Sequence, residues 1–282
     1  MDRDQRLDEA FYHVRSGNYE LGISVLKELE LVDPLNHEMN YLLGFSYRQI
    51  NQFNLSESYL RKSIETEPNI ATSYIALGVT QQKQMKYDEA VISFKSAIKI
   101  NSDSLDAYNS LGYTHRLEGK LDEALQVYST ARSIMFDIIY ENVTKSNRLI
   151  SYLTVEKLLG DHQWMTDFLQ FVMFKASKEG ITKIALPTGE TALKIELETT
   201  YDNNLFFDKG KTRSILPNFI HNFAFELNSN IQYSLLLNNV AAIYAIQDRR
   251  DIARKFFIES ILFTPENQDY QAPIVGLQNL DD

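Results

Sequence analysis

The sequence predicts a mainly α protein: a right-handed superhelix of antiparallel helix pairs with one small β-hairpin insertion. Three observations lead to this prediction. Residues 3–138 repeat with a period of 34 residues. Each unit of the repeat holds two apolar stripes at helical spacing, separated by a short polar break. Residues 181–197 instead alternate between apolar and polar positions on both sides of a turn at 187–190.

The period is carried by residues of defined shape. Gly44, Gly78 and Gly112 fall in register when the chain is displaced by 34 residues. A glycine at this place lets the two helices of a pair cross closely. The aromatic residues Phe94 and Tyr128 occupy a second equivalent place, where they fill the space between successive pairs. No single helix pair can bury its apolar stripe alone, so the pairs are expected to stack.

These residue types at this spacing resemble the tetratricopeptide repeat family, which has a 34-residue period. The resemblance implies a superhelix of the tetratricopeptide type and covers five repeats. Their predicted bounds are 3–36, 37–70, 71–104, 105–138 and, after an insertion, 234–267. The insertion spans residues 139–233, and residues 268–282 are predicted to form a C-terminal tail.

The insertion is predicted to hold several elements. They are a helix over 139–159, a helix over 161–178, the hairpin 181–197, a polar loop over 199–214 and a helix over 217–228. The second of these helices carries aromatic and aliphatic residues almost all round, from Trp164 to Phe174. Such a helix is usually buried on several sides. We interpret it as packing inside this chain. The alternative is a homo-oligomer formed through residues 161–197.

Composition excludes several classes of function. The chain has 28 basic and 38 acidic residues, a net charge of −10, which disfavours nucleic acid as a partner. It contains no cysteine, which excludes disulfides and thiolate metal sites. No apolar stretch is long enough to span a membrane, and the first residues do not read as a secretory signal. We therefore expect a cytoplasmic protein.

No motif in the sequence predicts catalysis. Gly210-Lys211-Thr212 is similar to the end of a phosphate-binding loop, but Leu205 stands where that loop needs a glycine. The five histidines form no metal-binding pair, and there is no Gly-x-Ser-x-Gly elbow. We therefore predict no enzyme, no cofactor and no metal site.

The remaining candidate site is a surface. The family resemblance implies that the first helix of each repeat lines the concave face of the stack. The residues expected to point into this groove are Leu7, Phe11, Tyr41, Phe45, Arg48, Ile75, Val79, Asn109, Tyr113 and Arg116. The groove is thus apolar and aromatic through its middle, and Arg48, Arg116 and Asn109 are its polar groups.

The sequence predicts a protein–protein interaction module, an adaptor, scaffold or co-chaperone that binds a peptide or partner helix with an apolar core. Family members that clamp chaperone tails use Lys, Arg and Asn in this groove, whereas Leu7, Phe11, Tyr41 and Ile75 stand here. The apolar residues at these positions argue against a site of the kind that grips the terminal carboxylate of a chaperone tail. Two alternatives stay open: the chain's own insertion or tail fills the groove, or the insertion drives self-assembly.

Overall fold

A computed structural model describes residues 3–31, 36–145, 163–178, 184–185, 206–209, 212–215 and 217–280. These residues form thirteen α-helices and three short β-strands, so the fold is mainly α as predicted. The chain divides into two compact units, residues 1–127 and residues 128–282.

The first unit consists of antiparallel helix pairs. Its helices are α1 (Arg3–Arg15), α2 (Tyr19–Glu30), α3 (His37–Gln49), α4 (Phe53–Thr66), α5 (Ala71–Lys83), α6 (Tyr87–Ile100), α7 (Leu105–Leu117) and the start of α8 (Leu121–Lys145). The second helix of each pair also contacts the first helix of the next: α2 contacts α3, α4 contacts α5 and α6 contacts α7. The pairs therefore form a continuous stack.

One glycine in each of two pairs sets how closely the helices cross. A Cβ atom added at Gly44 would lie 2.5 Å from Leu60 Cγ, and one added at Gly78 would lie 2.6 Å from Phe94 Cε1. Leu60 and Phe94 are fully buried. Because these distances are shorter than any normal carbon–carbon contact, only a residue without a Cβ fits.

Buried hydroxyl groups join one pair to the next. Ser56 on α4 lies 2.9 Å from the hydroxyl of Thr80 on α5, and Ser63 on α4 lies 3.1 Å from the hydroxyl of Ser73 on α5. All four side chains are buried. Each hydroxyl therefore has a partner in an otherwise apolar interface, which sets the register between neighbouring pairs.

The turn inside each pair places one residue in the left-handed region. In the first unit these residues are Gly17, Asn51, Met85 and Gly119, with φ of 78°, 60°, 62° and 77°. Asp248, with φ of 56°, has the same role between two helices of the second unit. Glycine and asparagine suit this conformation, whereas a methionine there is strained.

We expect Met85→Gly to stabilise the protein by about 0.5–1 kcal/mol, because it removes the left-handed strain at the cost of some chain entropy. Little packing is lost, since Met85 is 76% exposed. Urea unfolding of the variant measures the change. Met85→Ala is the control, because alanine keeps the strain and should leave stability within about 0.5 kcal/mol of the wild type. Equal stability of all three proteins would contradict the prediction.

The second unit holds the remaining elements. They are the rest of α8, then α9 (Gln163–Lys178), β1 (Ile184–Ala185), β2 (Phe206–Lys209), β3 (Thr212–Ile215), α10 (Pro217–Asn228), α11 (Ile231–Ile246), α12 (Arg250–Leu262) and α13 (Ala272–Asn279). Helix α8 runs unbroken past residue 138, where the fourth repeat was predicted to end. Phe136 stands where Pro34 and Pro68 stand in earlier repeats, so nothing interrupts the helix.

The hairpin predicted over residues 181–197 is not supported. Of these residues only Ile184–Ala185 are described, and they pair in parallel with β3, while the expected turn at 187–190 lies outside the described residues. The described antiparallel pair is β2 with β3, so the polar loop predicted over 199–214 is wrong in its second half. Two short strands separated by two residues, Gly210 and Lys211, are a hairpin signal that the polar composition obscured.

An aromatic cluster forms the core of the second unit. Trp164 and Phe168 on α9 are fully buried, and the ring centre of Phe168 lies 4.8 Å from that of Phe223 on α10. The ring of Trp164 lies 6.0 Å from that of Phe263, which follows α12. These aromatic residues of α9 therefore pack inside this chain. Phe174 differs, since it is 56% exposed.

The burial of α9 bears on the homo-oligomer considered for residues 161–197. In the described part of that segment, the aromatic side chains that suggested it are buried, except for Phe174. The segment predicted as a tail contains helix α13, which packs against α12: a Cβ atom at Gly276 would lie 2.4 Å from Phe257 Cε1. Residues 272–279 of the predicted C-terminal tail 268–282 are therefore helical and packed.

Candidate functional site on the concave face

The contacts between helices define which side of the first unit is concave. Successive first helices touch directly, α1 with α3, α3 with α5 and α5 with α7. Among the described residues, the second helices α2, α4 and α6 make no comparable contact with one another. A stack bends toward the side on which its neighbouring helices are closer together, so the first helices line the inner side.

The ten residues predicted to line the groove all lie on these first helices and are all partly buried. They are Leu7 and Phe11 on α1, Tyr41, Phe45 and Arg48 on α3, Ile75 and Val79 on α5, and Asn109, Tyr113 and Arg116 on α7. Their role in binding stays a prediction. Their partial burial means that each offers one side to the core and one side to solvent.

The apolar members rest on three neighbouring core clusters. Phe11 and Phe45 pack against the cluster that contains Ala10 and Leu43. Tyr41 contacts that cluster and also the next, around Leu60 and Ala76. Such contacts hold the rings in place, so that binding costs little side-chain entropy.

The apolar lining continues along the stack. Ile75 and Val79 pack against a third cluster, which contains Phe94 and Leu111. The ring of Tyr19, on α2, meets that of Phe45 edge to face with a centre-to-centre distance of 6.3 Å. The apolar strip thus extends over at least three helix pairs.

Two arginines of this face lie over aromatic rings. The Arg48 guanidinium lies 4.9 Å from the ring centre of Phe45, and Nη1 donates a long hydrogen bond of 3.4 Å to the carbonyl oxygen of Ala76. Burial lowers the pKa of Arg48, because it disfavours the charged form. The Arg116 guanidinium lies 4.8 Å from the ring centre of Tyr113.

The Arg116 side chain also contains a buried atom, Nε, with no hydrogen-bond partner among the described residues. Gln82 occupies the equivalent place in the repeat between the two arginines. Its amide donates a hydrogen bond of 2.8 Å to the Thr114 hydroxyl. At this equivalent place of three successive repeats the face therefore carries two cations, Arg48 and Arg116, separated by the neutral amide of Gln82, which is already hydrogen-bonded.

Three other kinds of feature were considered in the described residues: a metal site, a phosphate-binding loop and a membrane-spanning helix. No group of three or more histidines and carboxylates is placed to hold a metal ion in that part of the chain. Thr212 begins strand β3, whereas a phosphate-binding loop leads into a helix. Within the same residues no helix combines the length and apolar character needed to cross a membrane.

Sequence reasoning missed the stacked arginines as a structural feature. Phe45 and Arg48 are three residues apart on one helix, as are Tyr113 and Arg116. Side chains at this spacing are neighbours on a helix surface, so the sequence did contain the signal. It also missed Tyr19, which belongs to a second helix but reaches the ring of Phe45.

A stack of helix pairs with a continuous inner face defines a helical-repeat protein of the protein–protein interaction class. Models of the tetratricopeptide repeat match residues 37–70 and residues 75–137, so these helix pairs are similar to tetratricopeptide repeats over less than half of the chain. No curated protein matches the chain.

Several solved structures of MamA resemble the chain over about half its length. The crystal structure of MamA is 22% identical, with a TM-score of 0.46, and the match covers 47% of this chain and 78% of that one. MamA 41-end from Desulfovibrio magneticus RS-1 is 15% identical, with a TM-score of 0.46 and coverages of 51% and 78%. MamA MSR-1 is 25% identical, with a TM-score of 0.44 and coverages of 48% and 77%.

Proposed function

We propose that this protein is an adaptor or scaffold that binds a peptide or a partner helix along the concave face of the first unit, between Phe11 and Arg116. The observation that carries the proposal is the strip of half-buried aromatic and aliphatic side chains on the inner side of the stack. Apolar surface of this kind, kept in contact with water, usually marks a site of contact.

The energetic centre of the proposed site is the pair Tyr41 and Phe45. Both lie on α3, and Tyr41 contacts two core clusters at once. Covering the remaining exposed faces of such rings contributes roughly 25 cal/mol per Å² of apolar surface removed from water. Rings that are already held by neighbours bind with a small loss of side-chain freedom, which favours them as anchors.

The proposed role is non-enzymatic, without a cofactor, and cytoplasmic. Apolar residues stand at Leu7, Phe11 and Ile75, where chaperone-binding relatives would carry polar groups, so an adaptor or scaffold is preferred over a co-chaperone. The absence of cysteine is compatible with a reducing compartment.

The test compares Phe45→Ala with Ile92→Ala in affinity for a partner first captured from native extract and then purified. Ile92 is an exposed aliphatic residue on the second helix α6, so its truncation is the matched control. We expect Phe45→Ala to lose about 2 kcal/mol of binding free energy, a factor of roughly 30, and Ile92→Ala to lose almost none.

Thermal melts of both variants, run beside the binding assay, separate lost affinity from lost folding. Equal affinities for the two variants would move the binding site off the concave face. Size-exclusion chromatography supplies the second readout. If the wild type forms a homo-oligomer and Phe45→Ala weakens that self-association, the concave face serves self-assembly and the adaptor role is overturned.

A further inference from the structure

Outside the concave face, many charged side chains of the first unit neutralise one another. Glu57 accepts hydrogen bonds from Arg61, at 2.7 Å, and from Lys86, at 2.8 Å. Other ion pairs are Arg6–Glu28, Lys27–Glu30, Lys62–Glu30 and Lys120–Glu118. The carboxylates of these pairs lie on second helices or in a turn, and the cations around them, including Arg6 on the first helix α1, already have partners within this chain.

Arg48 and Arg116 differ from these cations. Neither takes part in an ion pair among the described residues. Each is partly buried and has lost part of its hydration. The rings of Phe45 and Tyr113 compensate part of that loss, but a ring is not a counter-charge.

The chemistry that fits such a group is a carboxylate. The planar guanidinium presents a fork of N–H donors that matches the two oxygens of a carboxylate. Burying a cation without a counter-charge is costly, and supplying the counter-charge recovers that cost. The chain has a net charge of −10, so general attraction does not bring acidic segments to it, and their recognition has to be local.

The two arginines stand at equivalent places two repeats apart, and Gln82 holds that place in the repeat between them. Gln82 is neutral and its amide is bonded to Thr114. The side chains of Ile75 and Val79, on the same middle repeat, are apolar. The groove thus has a positive charge at each side of an apolar stretch.

We infer that the segment bound in this groove is an acidic peptide segment with an apolar centre, in which one carboxylate binds Arg48, a second binds Arg116, and apolar side chains between them cover Ile75 and Val79. The inference rests on the proposed function and adds the charge pattern of the partner.

The test selects binders of the full chain from a random peptide library displayed on phage, and then synthesises the enriched peptides. We expect Asp or Glu on both sides of an apolar core. Replacing either acidic residue by its amide should weaken binding about tenfold, and replacing both about a hundredfold. Arg48→Gln should make binding insensitive to one of the two acidic residues, and Arg116→Gln to the other.

Arg61→Gln is the matched control, because Arg61 is an arginine on the second helix α4 that is already paired with Glu57. It should leave the dependence on both acidic residues unchanged. The amide-substituted peptides test the inference on the wild-type protein, so the result does not depend on how well the arginine variants fold.

Two outcomes separate the inference from the function on which it rests. Peptides that require Phe45 but contain no acidic residue, or whose amide forms bind equally well, overturn the inference and leave the groove as a binding site. A selection that yields no peptide, or only peptides indifferent to Phe45→Ala, overturns both.

Discussion

Gly78→Leu is expected to lower the free energy of unfolding by about 3 kcal/mol, the upper end of the usual cost of overpacking. A Cβ atom at this position would lie 2.6, 2.8 and 2.9 Å from three ring carbons of Phe94. Phe94 is fully buried, so its ring has no open space to move into. The helices α5 and α6 would have to separate. Urea unfolding followed by circular dichroism measures the loss.

Two further variants make this prediction specific. Thr72→Leu places the same side chain at an exposed site of α5 and should change stability by less than about 0.5 kcal/mol. Gly78→Ala should also destabilise, although alanine is the better helix former by about 1 kcal/mol. Phe94→Leu should relieve part of that cost, because Gly44 already crosses against a leucine, Leu60. A Gly78→Leu protein as stable as Thr72→Leu would contradict the close crossing.

Glu259→Ala is expected to lower the free energy of unfolding by about 3 kcal/mol, because the Glu259 carboxylate accepts hydrogen bonds from the first backbone N–H groups of helix α9. Its carboxylate accepts hydrogen bonds from the backbone N–H of Trp164, at 2.6 Å, and of Gln163, at 3.1 Å, the first residues of α9. Trp164 is fully buried, and a buried donor left without a partner costs about 1–3 kcal/mol. Glu266→Ala, at an exposed position after α12, is the control and should cost little.

The same residue makes stability depend on pH. Burial raises the pKa of Glu259 to about 7, with the negative charge of Asp167 adding to the shift, while the N–H donors and Arg132 oppose it. Between its ordinary pKa and about 7, the folded protein binds a proton that the unfolded chain does not. The contribution of Glu259 to stability is therefore greatest at low pH and falls as pH rises through this window, by an amount on the order of 3 kcal/mol.

Glu259→Gln isolates this effect, because the amide does not titrate and its oxygen still accepts a hydrogen bond. We expect the variant to lose stability less steeply than the wild type between pH 5 and pH 8. Burial also raises the pKa of Asp167, but Asp167 is present in both proteins, so the difference between them reports mainly Glu259. Parallel stability curves for the two proteins would show that Glu259 titrates normally.

Much of the fold of the first unit could be predicted because its decisive contacts are local. Gly78 meets Phe94 within one repeat, and the same spacing brings Gly44 to Leu60. The residues that set the helix crossing therefore recur within the repeating pattern, and the resemblance to the tetratricopeptide family was recognised from that pattern. The stacked pairs Phe45–Arg48 and Tyr113–Arg116 are also local, although sequence reasoning treated their members separately.

The second unit could be predicted only in part, because its decisive contacts join distant residues. Trp164 and Glu259 are 95 residues apart, and β1 pairs with β3 although residues 186–211 lie between the two strands in the sequence. A contact between distant residues does not recur along the sequence, and the local pattern of neither segment predicts it. The helix 217–228 was predicted, whereas the β2–β3 pair and the packing of α13 on α12 were not.

By itself, the sequence determined the helix-pair class and which residues of the first helices are candidates for the concave face, since both follow from positions that recur every 34 residues. Only the tertiary structure decided that Arg48 and Arg116 form no ion pair with a carboxylate among the described residues, whereas Arg61 and Lys120 do. It also decided that Glu259 holds the start of α9. The physical reason is that burial and charge pairing depend on what surrounds a side chain, and those surroundings come from helices that the chain brings together only on folding.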